Sequence, residues 1–192
     1  MASLISCKNN SKEQVKTENN AVENTEIKTK PISKKETTNN NYLCKINGED
    51  WAYTKASGII DKNRKTGLRT AIITFKKKLK KGSESIQLYY NAATFELESV
   101  ALQLKFKKKD GKLATCFYDL KPATKKRSPE SKMSGTIDLS NPSKAAGVAE
   151  ITKINIFHET LLNPENETIN VTDLKFEGVG YSDLDKAFKS LK

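Results

Sequence analysis

Between residues 100 and 106 apolar and polar side chains trade places at every step. Val100, Leu102, Leu104 and Phe106 are separated by Ala101, Gln103 and Lys105. A period of two puts the first set on one face of a strand and the second on the other, which predicts a strand with one buried and one wet side. Asp110-Gly111 follows, a pair suited to a tight turn that needs positive φ. Residues 112–118 then return, with Leu113, Thr115 and Phe117 alternating against Ala114, Cys116 and Tyr118. The pattern predicts a β-hairpin over residues 100–120, with the rest of the domain built outward from it.

Similar signals recur on both sides. Residues 42–46 and 49–53 flank Asn47-Gly48, the strongest short-range hairpin signal. Strands are expected over 58–60, 68–75 and 85–90, the last with Ile86, Leu88 and Tyr90 on one face and Gln87 and Tyr89 on the other; 94–97 leads into the hairpin. Residues 121–132 contain Pro122, Pro129 and five basic residues but no large apolar side chain, so they are expected to form a mobile loop. Further strands are expected at 133–139, at 148–158 after a flexible Ala145-Ala146-Gly147 approach, and at 168–178. In that last strand the apolar parity changes between Val171 and Leu174, which predicts a bulge near Thr172-Asp173. Residues 182–191 predict a short amphipathic helix capped by Ser182, with Leu184, Phe188 and Leu191 on its docking face. The fold class is all-β: an antiparallel β-sandwich of about eight to ten strands over residues 42–192, closed by this helix.

Composition changes the picture at the front of the chain. Hydrophobic residues make up 36% of the 192, and mean hydropathy is -0.64. The deficit sits in residues 8–41, where a few aliphatics are scattered without period among Asn, Lys, Glu, Thr and Ser. Such a segment buries too little apolar surface to offset its ordering entropy, so it is expected to be a disordered tether.

Charge is uneven. The formal net charge is +11, and the lysines gather in three blocks: Lys76, Lys77, Lys78, Lys80 and Lys81; Lys107, Lys108 and Lys109; and Lys125, Lys126 and Arg127. Lysines at strand ends solubilise loops and keep sheet edges from pairing. The same residues are candidates for a patch that takes an anionic partner, a glycan, a lipid headgroup or a nucleic acid.

The chemistry of catalysis is thinly represented. His158 is the single histidine, at a predicted strand end, and no nucleophile is marked for it. No phosphate-binding glycine loop, paired-cysteine metal motif or calcium-loop spacing is present, so no enzyme, metal or cofactor is expected. The i, i+2 pairs Glu96 with Glu98 and Asp183 with Asp185 read as solvated carboxylates. Trp51, the only tryptophan, is expected to pack rather than to stack on a ligand. Cys44 and Cys116 have two readings: a disulfide in an oxidising compartment, or two buried thiols within strands.

Leu4-Ile5-Ser6-Cys7 resembles the lipobox of bacterial lipoproteins, where a signal peptide is cut just before a cysteine that is then acylated. Six residues precede Cys7, so residues 1–7 read as the remnant of such a signal followed by the tether. Cys44, Asn47, Gly48 and Trp51 are similar to the opening of a group of small uncharacterised lipoproteins of Bacteroidota. This resemblance implies lipid attachment at Cys7, anchoring to the outer membrane facing the periplasm, and a secreted β-sandwich. The function expected is a non-catalytic binding module at the cell envelope, with a protein or anionic glycan as partner. An immunity protein against a secreted toxin is a variant of this. The alternative is a cytoplasmic nucleic-acid-binding protein using the lysine blocks for phosphates and Tyr89, Tyr90 or Phe106 for stacking.

Overall fold

The computed structural model describes residues 41–157 and 163–189, the side chains of Arg127, Phe188 and Lys189 excepted. The lipobox-like segment, nearly all of the expected tether, His158 and Leu191 lie outside the described residues.

Ten strands account for most of the described chain, so the domain is all-β. β1 (Asn41–Ile46) and β2 (Glu49–Tyr53) form a hairpin around Asn47 and Gly48, both at positive φ (50° and 86°). β3 (Lys55–Lys62), β4 (Arg69–Lys78), β5 (Ser83–Asn91), β6 (Leu97–Lys107) and β7 (Leu113–Leu120) follow as an antiparallel meander. β8 (Lys132–Asp138), β9 (Lys144–Asn155) and β10 (Thr168–Asp183) are joined by longer connections, and α1 (Leu184–Lys189) ends the described chain.

The ladder runs β2-β1-β10-β3-β4-β5-β6-β7, with β9 also on β10 and β8 on β9. The hairpin from which the sequence pattern builds the domain therefore lies at one end of this order, not at its middle. Alternation reports which face is buried and carries no information on neighbours. The organising strand is β10, 16 residues long. It pairs antiparallel with β1 and β9, and then, through Tyr181, Ser182 and Asp183, runs parallel to Gly58, Ile59 and Ile60 of β3. That last ladder departs from the expected all-antiparallel pairing. Through it hydrogen bonding links all ten strands into one sheet.

β10 serves several neighbours because it bends. Its register slips between Val171 and Leu174, where Asp173 has a φ of 56°, and again between Phe176 and Val179, where Gly178 has a φ of 69°. The first slip is the predicted bulge. Each slip resets the parity, so Ile169, Val171, Leu174, Phe176 and Val179 all point into the core. There the Phe176 ring stands edge-on to Phe75 of β4 at 5.4 Å, and the Tyr90 hydroxyl of β5 donates to the Val148 carbonyl of β9 at 3.2 Å. Side chains of β4 and β5 thus meet those of β9 and β10 across the interior.

Two stretches read as loops have structure. Ala145, Ala146 and Gly147 belong to β9, where small residues are required: a Cβ on Gly147 would lie 2.6 Å from the Phe176 ring. Within 121–132, residues Lys125–Arg127 form a 3-10 turn, and buried Ser131 donates to the Lys153 carbonyl at 2.5 Å.

The helix begins one residue later than its pattern predicts. Asp183, not Ser182, is the cap, its Oδ1 accepting the Lys186 amide at 3.4 Å. Its Oδ2 takes Nη2 of Arg69 at 2.5 Å, which ties the end of β10 to the start of β4.

Candidate functional site

The three lysine blocks fall at two places. β4 and β5 turn at the same end of the meander as β6 and β7, and β3 begins there, with Lys55 directly opposite Lys76. The first turn lies against β6: a Cβ on Gly82 would lie 3.2 Å from Cε of Lys105. Lys76, Lys78, Lys80 and Lys81 are therefore brought together with Lys107, Lys108 and Lys109, and Lys55, Lys105 and Lys112 join them. The sequence pattern did not flag these last three, because membership follows from strand order and not from local charge density. Lys125 and Lys126 lie beyond the opposite end of β7, about 23 Å along the strand at roughly 3.3 Å per residue. One continuous patch is not formed. The Arg127 side chain lies outside the described residues.

Lys77 belongs to neither outward surface. It has the opposite parity from Lys76 and Lys78, and its ammonium lies 3.5 Å from Oε2 of Glu84 and 5.9 Å from the centre of the Trp51 ring. Glu84 is 8% exposed and well supplied with donors: the Trp51 indole N–H at 2.9 Å and the Lys105 amide at 3.0 Å. A buried carboxylate needs such partners, since unpaired it would cost several kcal/mol. Trp51 is itself buried, at 4% exposure, and closes the interior at the lysine end. No local signal marked Glu84, which reads in sequence as one more polar residue in a Ser-rich turn.

The connection after β7 covers a cleft. Leu120, Pro122 and Met133 make its apolar floor, Lys121, Lys125 and Lys132 stand around it, and Ser134, Thr152 and Glu150 supply polar groups on the β8–β9 side. Its volume is about 650 Å³, within the range of small-ligand pockets. Lys121 is also 3.3 Å from Asp119, so its charge is partly matched, whereas Lys125 and Lys132 have no ion-pair partner among the described residues. The third lysine block thus contributes to the cleft, and the first two to the ends of the β4–β5 and β6–β7 hairpins.

Several candidate residues are committed elsewhere. Cys44 and Cys116 are buried thiols on β1 and β7, and no disulfide joins them. Both cysteines fill strand positions facing the core, as small apolar residues do. Burial pushes the Cys44 thiol up to about 12, the Lys77 charge only partly offsetting it. Tyr90 is fully buried and Phe106 packs edge-on to Tyr118 at 6.2 Å, so neither offers a stacking face; Tyr89 lies on the outer side, bonded to Gln87 at 3.0 Å. Glu98 accepts from the Asn91 amide at 2.9 Å. Among the described residues no group of three or more His, Cys, Asp or Glu is placed to hold a metal ion, and no helix is long and apolar enough to cross a membrane.

No family model, curated protein or solved structure matches this chain.

Proposed function

We propose that the protein is a non-catalytic binding module held at the bacterial envelope through acylated Cys7, and that it takes an anionic ligand with an apolar portion into the cleft beneath residues 121–132. The observation that carries the binding half of this reading is the cleft itself, an apolar floor with three lysines around it against one carboxylate, Glu150. Such a lining favours a carboxylate, sulfate or phosphate at the rim with hydrocarbon or an aromatic ring below. The buried and half-buried acids support a structural role for the rest of the polar groups: Glu84 holds Trp51, and Asp183 holds Arg69 and α1. The anchoring half rests on the lipobox-like Leu4-Ile5-Ser6-Cys7.

Each half has its own test. Radiolabelled palmitate fed to the native host should enter the wild-type protein and not Cys7→Ala. Absence of label together with a cytosolic location would turn the reading towards nucleic acid. For the cleft, anilinonaphthalene sulfonate, an anionic fluorophore with an apolar body, should bind the folded protein at one site. Lys125→Glu/Lys132→Glu should weaken it roughly tenfold or more, on the scale of two close charges reversed. Equal binding by this variant would remove the cleft from the proposal.

A further inference from the structure

The lysine-bearing hairpin ends call for a different partner from the cleft. Residues 76–84 and 105–113, with Lys55, hold eleven lysines against two acids, Glu84 and Asp110. Both acids are already engaged, Glu84 in the bonds to Trp51 and the Lys105 amide, and Asp110 with the Lys112 amide at 3.0 Å and its ammonium at 3.5 Å. Lys55 and Lys76 stand directly opposite one another on the outer face, an arrangement that disfavours the sheet unless an anion lies over it. The cleft under residues 121–132 is lined by none of these lysines. Leu113, at 65% the most exposed large apolar residue among those described, sits at the base of the second turn, paired with Lys107. No exposed aromatic ring lies within the two turns, which lack the platform that unpaired bases stack on.

We infer that this end of the β4–β5 and β6–β7 hairpins docks on a membrane surface rich in anionic lipid headgroups. Many ammonium groups spread over the ends of two hairpins suit a plane of charges better than a single ligand, and a leucine rimmed by lysines can enter the acyl boundary while the ammoniums stay among the headgroups. This goes beyond the cleft and does not need Cys7: the hairpin ends act on the lipid plane directly, and an acyl anchor would only raise the local concentration.

The test uses the unacylated full chain, so that a lipid anchor cannot account for binding. It is sedimented with vesicles of phosphatidylcholine alone and with vesicles in which one lipid in three is phosphatidylglycerol. The chain should pellet with the second and not the first, and lose binding steeply with added salt. Lys80→Glu/Lys81→Glu/Lys108→Glu/Lys109→Glu, with a thermal midpoint no lower than that of the wild type as the check on folding, should reduce partitioning by more than about a hundredfold. Lys62→Glu/Lys126→Glu, at the other end of the meander and outside the cleft lining, should leave it within about twofold, and Leu113→Ser should weaken it without altering the salt dependence. The inference is overturned if the wild-type chain stays in solution with anionic vesicles, if the fourfold variant pellets like wild type, or if a single-stranded oligonucleotide binds the hairpin ends more tightly than the vesicles do. Palmitate labelling is a separate result, so failure here leaves the anchoring reading intact and failure there leaves this one intact.

Discussion

Trp51 and Glu84 hold one another across two strands, β2 and β5, that are not ladder neighbours. Replacing Trp51 by Phe leaves Oε2 of a buried carboxylate without its N–H donor, and a hydrogen bond to a charged group is worth about 1.5–3 kcal/mol. Trp51→Phe should therefore lower the urea-unfolding free energy by about that amount, and Glu84→Ala by as much, since it strands the indole N–H and the Lys105 amide together. A loss below about 0.5 kcal/mol for both would show that water replaces these partners without cost. Cys44 makes a chemical prediction at the same scale. With its thiol pushed up to about 12 by burial, little thiolate exists at pH 8. Peptide mapping after iodoacetamide treatment of the native protein should find Cys44 unmodified, and modified once urea has unfolded the chain.

At the scale of elements, the first hairpin is fixed by two residues with different duties. Gly48 has a φ of 86° and nothing within 4 Å of where a Cβ would stand, so Gly48→Ala meets no neighbour and should cost only the backbone strain, about 1–2 kcal/mol. Asn47 also sits at positive φ, but its side chain reaches the far end of the fold, donating to the Glu165 carbonyl at 3.0 Å and accepting the Asn170 amide at 2.8 Å. Asn47→Gly should keep the turn and still cost about 1–2 kcal/mol through the lost hydrogen bonds. Thermal or urea unfolding of the two variants separates strain from bonding.

Asp183 is a joint of another kind. It ends β10, caps α1 and pairs with Arg69. Its burial opposes ionisation, but the hydrogen bonds from the Arg69 guanidinium and the Lys186 amide, with the attraction of both cations, outweigh that and hold the carboxyl below its ordinary value. A group whose pKa falls on folding stabilises fully above its unfolded value, about 3.9, and loses that contribution as pH drops through the folded one. Stability followed from pH 5 downward should therefore show an acid-labile component that Asp183→Asn removes.

Strand positions were legible wherever one face is wet, as at residues 100–106 and 85–90, because alternation is then forced by solvent. The parity change at Val171–Leu174 was legible for the same reason. Ala145-Ala146-Gly147 was not, since small residues read as flexibility until Phe176 is seen lying over Gly147. The cap was misplaced by one because Ser182 and Asp183 are both good caps, and Arg69, more than a hundred residues away, favours the second. The lysine blocks were legible as charge, but their division between two hairpin ends and a cleft depends on strand order, which local pattern does not encode.

Taken whole, the domain concentrates like charge where two turns and the start of β3 meet. Lys55 opposite Lys76 and the β4–β5 and β6–β7 turns at the same end of the meander store repulsion that mobile ions can screen. The thermal midpoint of the unliganded protein should rise as sodium chloride is raised from about 0.01 to 0.3 M, through a range in which the screening length shrinks from ~30 Å to well below 10 Å. The fourfold lysine-to-glutamate variant should show a smaller rise. A midpoint that falls with salt in the wild type would mean that ion pairs such as Lys77–Glu84 outweigh the repulsion.

The position of β10 in the chain has a consequence for how the protein is made. A ribosome delivers β1 through β9 before it delivers Thr168–Asp183, yet β1, β3 and β9 all need that strand as a partner. Until it emerges, the first hairpin has only itself, the meander has an open edge at β3, and the interior around Phe75 lacks Phe176. Contacts of such long sequence separation form slowly. The interior can therefore close only when the tenth strand arrives.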